Sequence, residues 1–274
     1  IEEISIRNAT FDTRDFIDGV VVSGHLGELF LESHGVVFSP ETARINEFSV
    51  KNTDVSLTLG SIESTDTVPS EPLYWKILLD EIDFENVGFA LKMPQDSLFV
   101  RTMLPKTTLK NGVIDLKEAS YYVKSFGIDN AELAYGPKEE LFLQQIGLQL
   151  DSIYYCGKDI RANIEEFVLK ERSGLELVST EGRIVSDSVL IEIPKFTMKT
   201  TASSLDLQTK IGWDVLEMKK TGVLSAKINA EIGKGDVAKI LGGRDTLFLQ
   251  TYPNKPFVFR ADAEGNLNSL RLRT

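Results

Sequence analysis

The 274-residue sequence predicts an all-β protein, an elongated, curled antiparallel sheet whose apolar face forms a groove, with one or two short helices. Three observations predict it. The first is a repeated phrase, apolar-x-apolar-x-Asn, with another apolar residue three places on. It occurs as Ile4-Ser5-Ile6-Arg7-Asn8 with Phe11, and as Phe48-Ser49-Val50-Lys51-Asn52 with Val55. It returns as Ile82-Asp83-Phe84-Glu85-Asn86 with Phe89, and as Phe126-Gly127-Ile128-Asp129-Asn130 with Leu133. A degraded copy, Thr107-Thr108-Leu109-Lys110-Asn111, ends in Ile114. The period of two is a strand signal and Asn a turn signal, so each copy reads as strand, turn, strand. The second observation is that helix-length periodicity is almost absent from Tyr74 to Gly212. The third is irregular spacing of the Asn residues, which argues against a solenoid of fixed rung and for an open meander.

In chain order, residues 1–62 form a β-rich segment with loops around 12–19 and 39–44. Residues 63–73 are polar and Pro-bearing, the signature of a loop. Residues 74–274 carry the remaining strand signals, among them Ile146–Leu150, Val189–Ile193 and Leu205–Leu207. Trp213–Met218 fits a short helical turn. The best helix candidate is 236–241, capped by Asp236 and ended by Gly242-Gly243. Strands resume at 223–232, 257–261 and the C-terminus. The chain begins and ends on strand signals, the pattern of a piece of a longer protein.

A net charge of -11 argues against nucleic acid as a partner, because phosphate would be repelled and no basic stripe is present. It also disfavours simple electrostatic docking on anionic headgroups. The single cysteine, Cys156, excludes an internal disulfide framework and reads as a buried strand-end thiol. No run approaches the ~18 apolar residues of a membrane helix.

Tests for catalytic chemistry point away from an enzyme. His25 and His34 match no metal spacing and read as surface or strand-end residues. There is no G-x-S-x-G elbow, and pairs such as Glu139-Glu140 and Glu165-Glu166 read as acidic surface. Gly233-Lys234-Gly235-Asp236-Val237-Ala238 matches G-x-G-x-x-A, but too little chain follows for a dinucleotide fold. It reads as a strand-to-helix turn, with no cofactor and no metal expected.

Residues 148–163 (LQLDSIYYCGKDIRAN) and 167–182 (FVLKERSGLELVSTEG) resemble the TamB/AsmA-like envelope proteins of Bacteroidetes. So do 193–207 (IPKFTMKTTASSLDL) and 75–91 (WKILLDEIDFENVGFAL). The likeness covers roughly residues 74–274. It implies a large protein anchored in the inner membrane and spanning the periplasm, of which this chain is an internal fragment. The implied fold is a β-taco, along whose groove phospholipid acyl chains move between the inner and outer membranes. It also implies support of outer-membrane protein assembly through a BamA-like partner. The acceptor pattern for periplasmic O-glycosylation in that group resembles Asp-Ser/Thr-aliphatic, which places Thr67, Ser97, Ser152, Ser188 and Thr246 as weak acceptor candidates.

The expected function is therefore non-enzymatic carriage of phospholipid. Candidate groove liners are Ile6, Val50, Phe84, Leu109, Ile128, Leu148, Leu169, Leu177, Ile193, Met198 and Leu207. A one-residue slip would reverse every side chain, so the sequence leaves the inward face open. The alternative is a structural or protein-interaction β-module of the envelope, in which the same residues are closed core. A carbohydrate-active enzyme or lectin is the third reading, disfavoured because the aromatics fall inside strands.

Overall fold

The computed structural model describes residues 2–15, 19–38, 41–60, 74–95, 97–218, 222–242 and 244–273. Its strands are β1 (Glu3–Asp15), β2 (Val20–Glu32), β3 (Gly35–Phe38), β4 (Glu41–Thr58), β5 (Lys76–Met93), β6 (Leu98–Asp115), β7 (Ser120–Tyr135) and β8 (Leu141–Cys156). They continue as β9 (Asp159–Glu171), β10 (Glu176–Ser186), β11 (Leu190–Thr200), β12 (Ser204–Gly212), β13 (Leu224–Ile232), β14 (Phe257–Asn266) and β15 (Ser269–Arg273). Three short helices, α1 (Trp213–Leu216), α2 (Lys234–Leu241) and α3 (Thr246–Thr251), interrupt them. The all-β expectation holds, with one helix more than expected. The loop expected at 63–73 lies outside the described residues.

Two compact units divide within β8, as Ile1–Gly147 and Leu148–Thr274. In the first, the strand order is β1-β2-β4-β5-β6-β7, with β3 paired to β4. These pairs are antiparallel except β4–β5, which is parallel. A parallel pair requires the chain to return to the start of the neighbouring strand, so β5 cannot follow β4 through a tight hairpin. In the second unit, β9 to β15 pair in sequence order, each antiparallel to the next. Among the described residues no ladder joins β1 to β7 or β9 to β15, so the strands of neither unit close into a barrel.

The repeated Asn does not separate strands. Asn8, Asn52, Asn86, Asn111 and Asn130 lie inside β1, β4, β5, β6 and β7, with φ of 51°, 50°, 54°, 53° and 53°. Asn is enriched in this left-handed region because its short polar side chain tolerates it. A single left-handed residue bends a strand and does not end it, which corrects the expectation of a turn. The registers set Asn8, Gly27, Asn52, Asn86, Pro105 and Asn130 side by side in one row across the strands. Asn86 Nδ2 donates to Asn52 Oδ1 at 3.2 Å within that row. A second row, Asn46, Asp80, Asn111 and Lys124, runs six residues away on each strand (46 to 52, 80 to 86, 105 to 111, 124 to 130). Asn111, the degraded copy, belongs to this second row.

Each bend resets the alternation. Glu85 and Asn86 are both exposed, as are Asp129 and Asn130, whereas the next residues, Val87 and Ala131, turn inward. A Cβ on Gly112 would meet Leu109 Cδ2 at 3.2 Å and Leu79 Cδ1 at 3.3 Å, so positions 109 and 112 share a face although three residues apart. That is why the sequence phrase places its next apolar residue three, not two or four, after the Asn. Replacing Asn111 by Gly should leave stability nearly unchanged, because Gly is free to adopt the left-handed region. Asn111→Val should cost about 1–2 kcal/mol in a denaturant titration. Equal midpoints for the two variants would show that the backbone there relaxes.

Candidate functional site: an apolar sheet face

In the first unit two rows, apolar except at Thr107, run directly across the strands. Ile6, Leu29, Val50, Phe84, Thr107 and Ile128 form one, and Ile4, Leu31, Phe48, Ile82, Leu109 and Phe126 the other. Directly opposed residues point to the same side of a sheet, and so do residues two apart. Ile6, Val50, Phe84, Leu109 and Ile128 are thus brought together on one face. The Phe48 and Phe84 rings meet edge to face with centroids 6.1 Å apart.

The adjacent row on the other face is ionic, in strict alternation: Arg7, Glu28, Lys51, Glu85, Lys106, Asp129. Arg7 pairs with Glu28 at 3.1 Å, and Lys51 with Glu85 at 3.6 Å. Exposed pairs of this kind stabilise little individually. Their alternation instead disfavours a shifted register, since a slip would set apolar residues where the charges stand.

The second unit repeats the division of faces by different means. In the β11–β12 ladder Ile193 opposes Thr209, Phe196 opposes Leu207 and Met198 opposes Leu205. Pro194 and Lys195 together face Gln208, a β-bulge that keeps Ile193 and Phe196 on one side. Leu177 opposes both Leu169 and Thr200. Leu169, Leu177, Ile193, Met198 and Leu207 therefore share a face, which continues through Ile228 and Ala230 of β13. Lys210–Glu192 and Lys195–Glu181 ion pairs, at 3.0 and 3.4 Å, occupy the other side. Leu148 is half-buried at the start of this unit.

These faces are only partly covered. Among the described residues the buried hydrophobic side chains are Val50, Leu79, Ala131, Ala134, Val215 and Ala261, too few to make a globular core. Ile6 is 41% exposed, and Phe84, Leu109, Ile128, Leu169, Leu177, Ile193, Met198 and Leu207 are half-buried.

One carboxylate, that of Asp236, is well buried. Asp236 does not cap α2; Gly233 does, and Asp236 turns inward from the first helical turn. Its carboxylate accepts hydrogen bonds from Ser203 Oγ at 2.6 Å, from Thr201 Oγ1 at 3.3 Å and from Thr200 Oγ1. Lys239 Nζ lies 3.9 Å away. Burial pushes the carboxyl upward, but the Ser203 and Thr200 hydrogen bonds and the Lys239 charge outweigh it and hold it below the usual value. A side chain on Gly233 would collide with Ala202, so the glycine of the G-x-G-x-x-A stretch permits close packing of α2 on the β11–β12 turn. Gly242, at φ 55°, ends α2 as expected.

Both histidines are exposed, His25 within β2 and His34 just beyond it, and the described residues hold no group of three or more metal-ligating side chains. Cys156 ends β8 as expected but is half-buried, not buried. Of the acceptor candidates, Ser97, Ser152, Ser188 and Thr246 are exposed, and Thr67 lies outside the described residues. Two have a local structural reason. Asp187 accepts from the Val189 and Leu190 N–H groups at 2.7 and 2.9 Å, folding the turn that carries Ser188. Asp245 accepts from Phe248 N–H at 2.9 Å, capping α3 before Thr246.

No protein-family model matches this sequence, and no curated protein matches it.

Proposed function

We propose that the chain carries phospholipid by holding acyl chains on its apolar sheet faces, as part of a non-enzymatic, TamB/AsmA-like bridge across the periplasm. The observation that supports this most directly is the separation of faces. Ten of the eleven candidate liners share an apolar side within their unit, while an ionic row in the first unit and the Lys210–Glu192 and Lys195–Glu181 pairs in the second lie on the reverse. The strands of neither unit close into a barrel over that side. Open apolar surface in water is unfavourable, and an acyl chain laid on it is stabilised by about 0.8 kcal/mol per buried CH2. The lining is mostly aliphatic and aromatic, with threonines such as Thr107 and Thr209 among them and no charge in the named rows, so it offers no single deep trap and allows a bound chain to slide. Assembly of outer-membrane proteins with a BamA-like partner is a further role consistent with this reading.

Native mass spectrometry of the purified chain, with solvent extraction against a mock purification, tests it. Phospholipid above the control is expected. A lipid-free monomer would instead favour a structural module whose faces are covered by protein.

A further inference from the structure

One corner of the second unit has a surface unlike the rest. Residues 233–255 carry Lys234, Lys239, Arg244 and Lys255 against Asp236 and Asp245, a net charge of +2 within a chain of -11. Asp236 is buried, so it takes little part in the surface balance. The same segment turns large apolar side chains to solvent: Ile240 is 69% exposed, Leu247 74% and Phe248 47%. This exposure is built into the corner. The Asp236 hydrogen bonds hold α2 to the β11–β12 turn, and Tyr252 Oη donates to the Ile232 carbonyl at 2.9 Å, fixing the end of α3 to β13. Lys234 Nζ donates to the Tyr252 carbonyl at 3.3 Å, and the Phe248 ring stacks edge-on to Tyr252.

We propose that α2, α3 and the segment 252–256 that follows them dock the chain on an anionic bilayer surface. Leu247 and Phe248 enter the interfacial layer, and Arg244 and Lys255 meet lipid phosphates. Exposed aliphatic and aromatic residues ringed by Lys and Arg are the composition of an interfacial anchor. A protein groove would read apolar residues at helical spacing. In α3 the two most exposed apolar residues are adjacent in sequence, and a fluid interface needs no register. The overall negative charge does not prevent this contact. At ionic strength near 0.1 M the Debye length is about 10 Å, so charges far from the corner are screened at contact. Repulsion elsewhere would instead orient the molecule with this corner toward the membrane. The inference goes beyond carriage of acyl chains, since it concerns the surface of an intact bilayer.

Flotation of the full chain with vesicles tests it, using phosphatidylcholine alone and equal parts phosphatidylcholine and phosphatidylglycerol. Binding to the mixed vesicles is expected, weakening as salt is raised. Leu247→Asp with Phe248→Asp should reduce it about tenfold or more, and Arg244→Glu with Lys255→Glu should remove the preference for phosphatidylglycerol. Circular dichroism would confirm that these exposed substitutions leave the fold intact. Leu177→Asp, on the acyl-binding face, should leave vesicle binding unchanged. Absence of binding, or binding indifferent to the corner substitutions, overturns the inference. So does binding lost with Leu177→Asp, which would place the contact on the sheet face.

Discussion

Leu177→Asp and Ile193→Asp should each leave the protein folded while lowering its phospholipid content at least about tenfold, the effect of placing a carboxylate where an acyl chain lies. Both residues are half-buried on the shared face of β9, β10, β11 and β12. In the lipid-free protein a carboxylate there still reaches water, so the stability loss should stay within about 2 kcal/mol. With an acyl chain seated over it, the same carboxylate must shed its hydration or protonate, and binding suffers. A closed core predicts the reverse order of effects. There the substitution buries an unpaired charge and the protein fails to fold. Paired measurements, a thermal melt and a lipid-to-protein ratio, distinguish the two. Folded variants that retain the parent's lipid content would remove Leu177 and Ile193 from the binding face.

The faces were legible in the sequence because each apolar-x-apolar phrase carries its own alternation. Ile4 and Ile6 share a side whatever their strand pairs with, and so do Ile82 and Phe84. Continuity through the Asn residues was not legible. Locally, Asn signals a turn, and only the cross-strand registers reveal that Asn8, Asn52, Asn86 and Asn130 fall in one row and bend the strands together. The parallel β4–β5 pair was equally hidden, because strand direction depends on a long-range pairing that no local pattern records. Helix α3 escaped notice because six residues are too few to display a 3.6-residue period. The destination of Asp236 escaped for a related reason. A local rule sees a carboxylate at a helix start and assigns it to capping, whereas its partners sit on the distant β11–β12 turn.

Removing that carboxylate should have a large effect on the stability of the second unit. Asp236→Ala leaves the Thr200 and Ser203 hydroxyls without their buried acceptor and should cost about 2–4 kcal/mol, because hydrogen bonds to a buried charged acceptor are the strong ones. Asp236→Asn keeps the shape but loses the charge, and should cost less. The pH dependence separates charge from packing. The carboxyl pKa is lower in the folded protein than its ordinary value of 3.8. Its contribution is therefore fully present above that value and is lost as pH falls through the lower, folded-state value. Across neutral pH the stability gap between the parent and Asp236→Asn should be constant; under strongly acid conditions it should narrow. A gap that stays constant into strong acid would assign the effect of Asp236 to shape alone. Because α2 is held to the sheet through this residue, Asp236→Ala should also weaken flotation with the mixed vesicles, whereas Asn111→Val, in the other unit, should not.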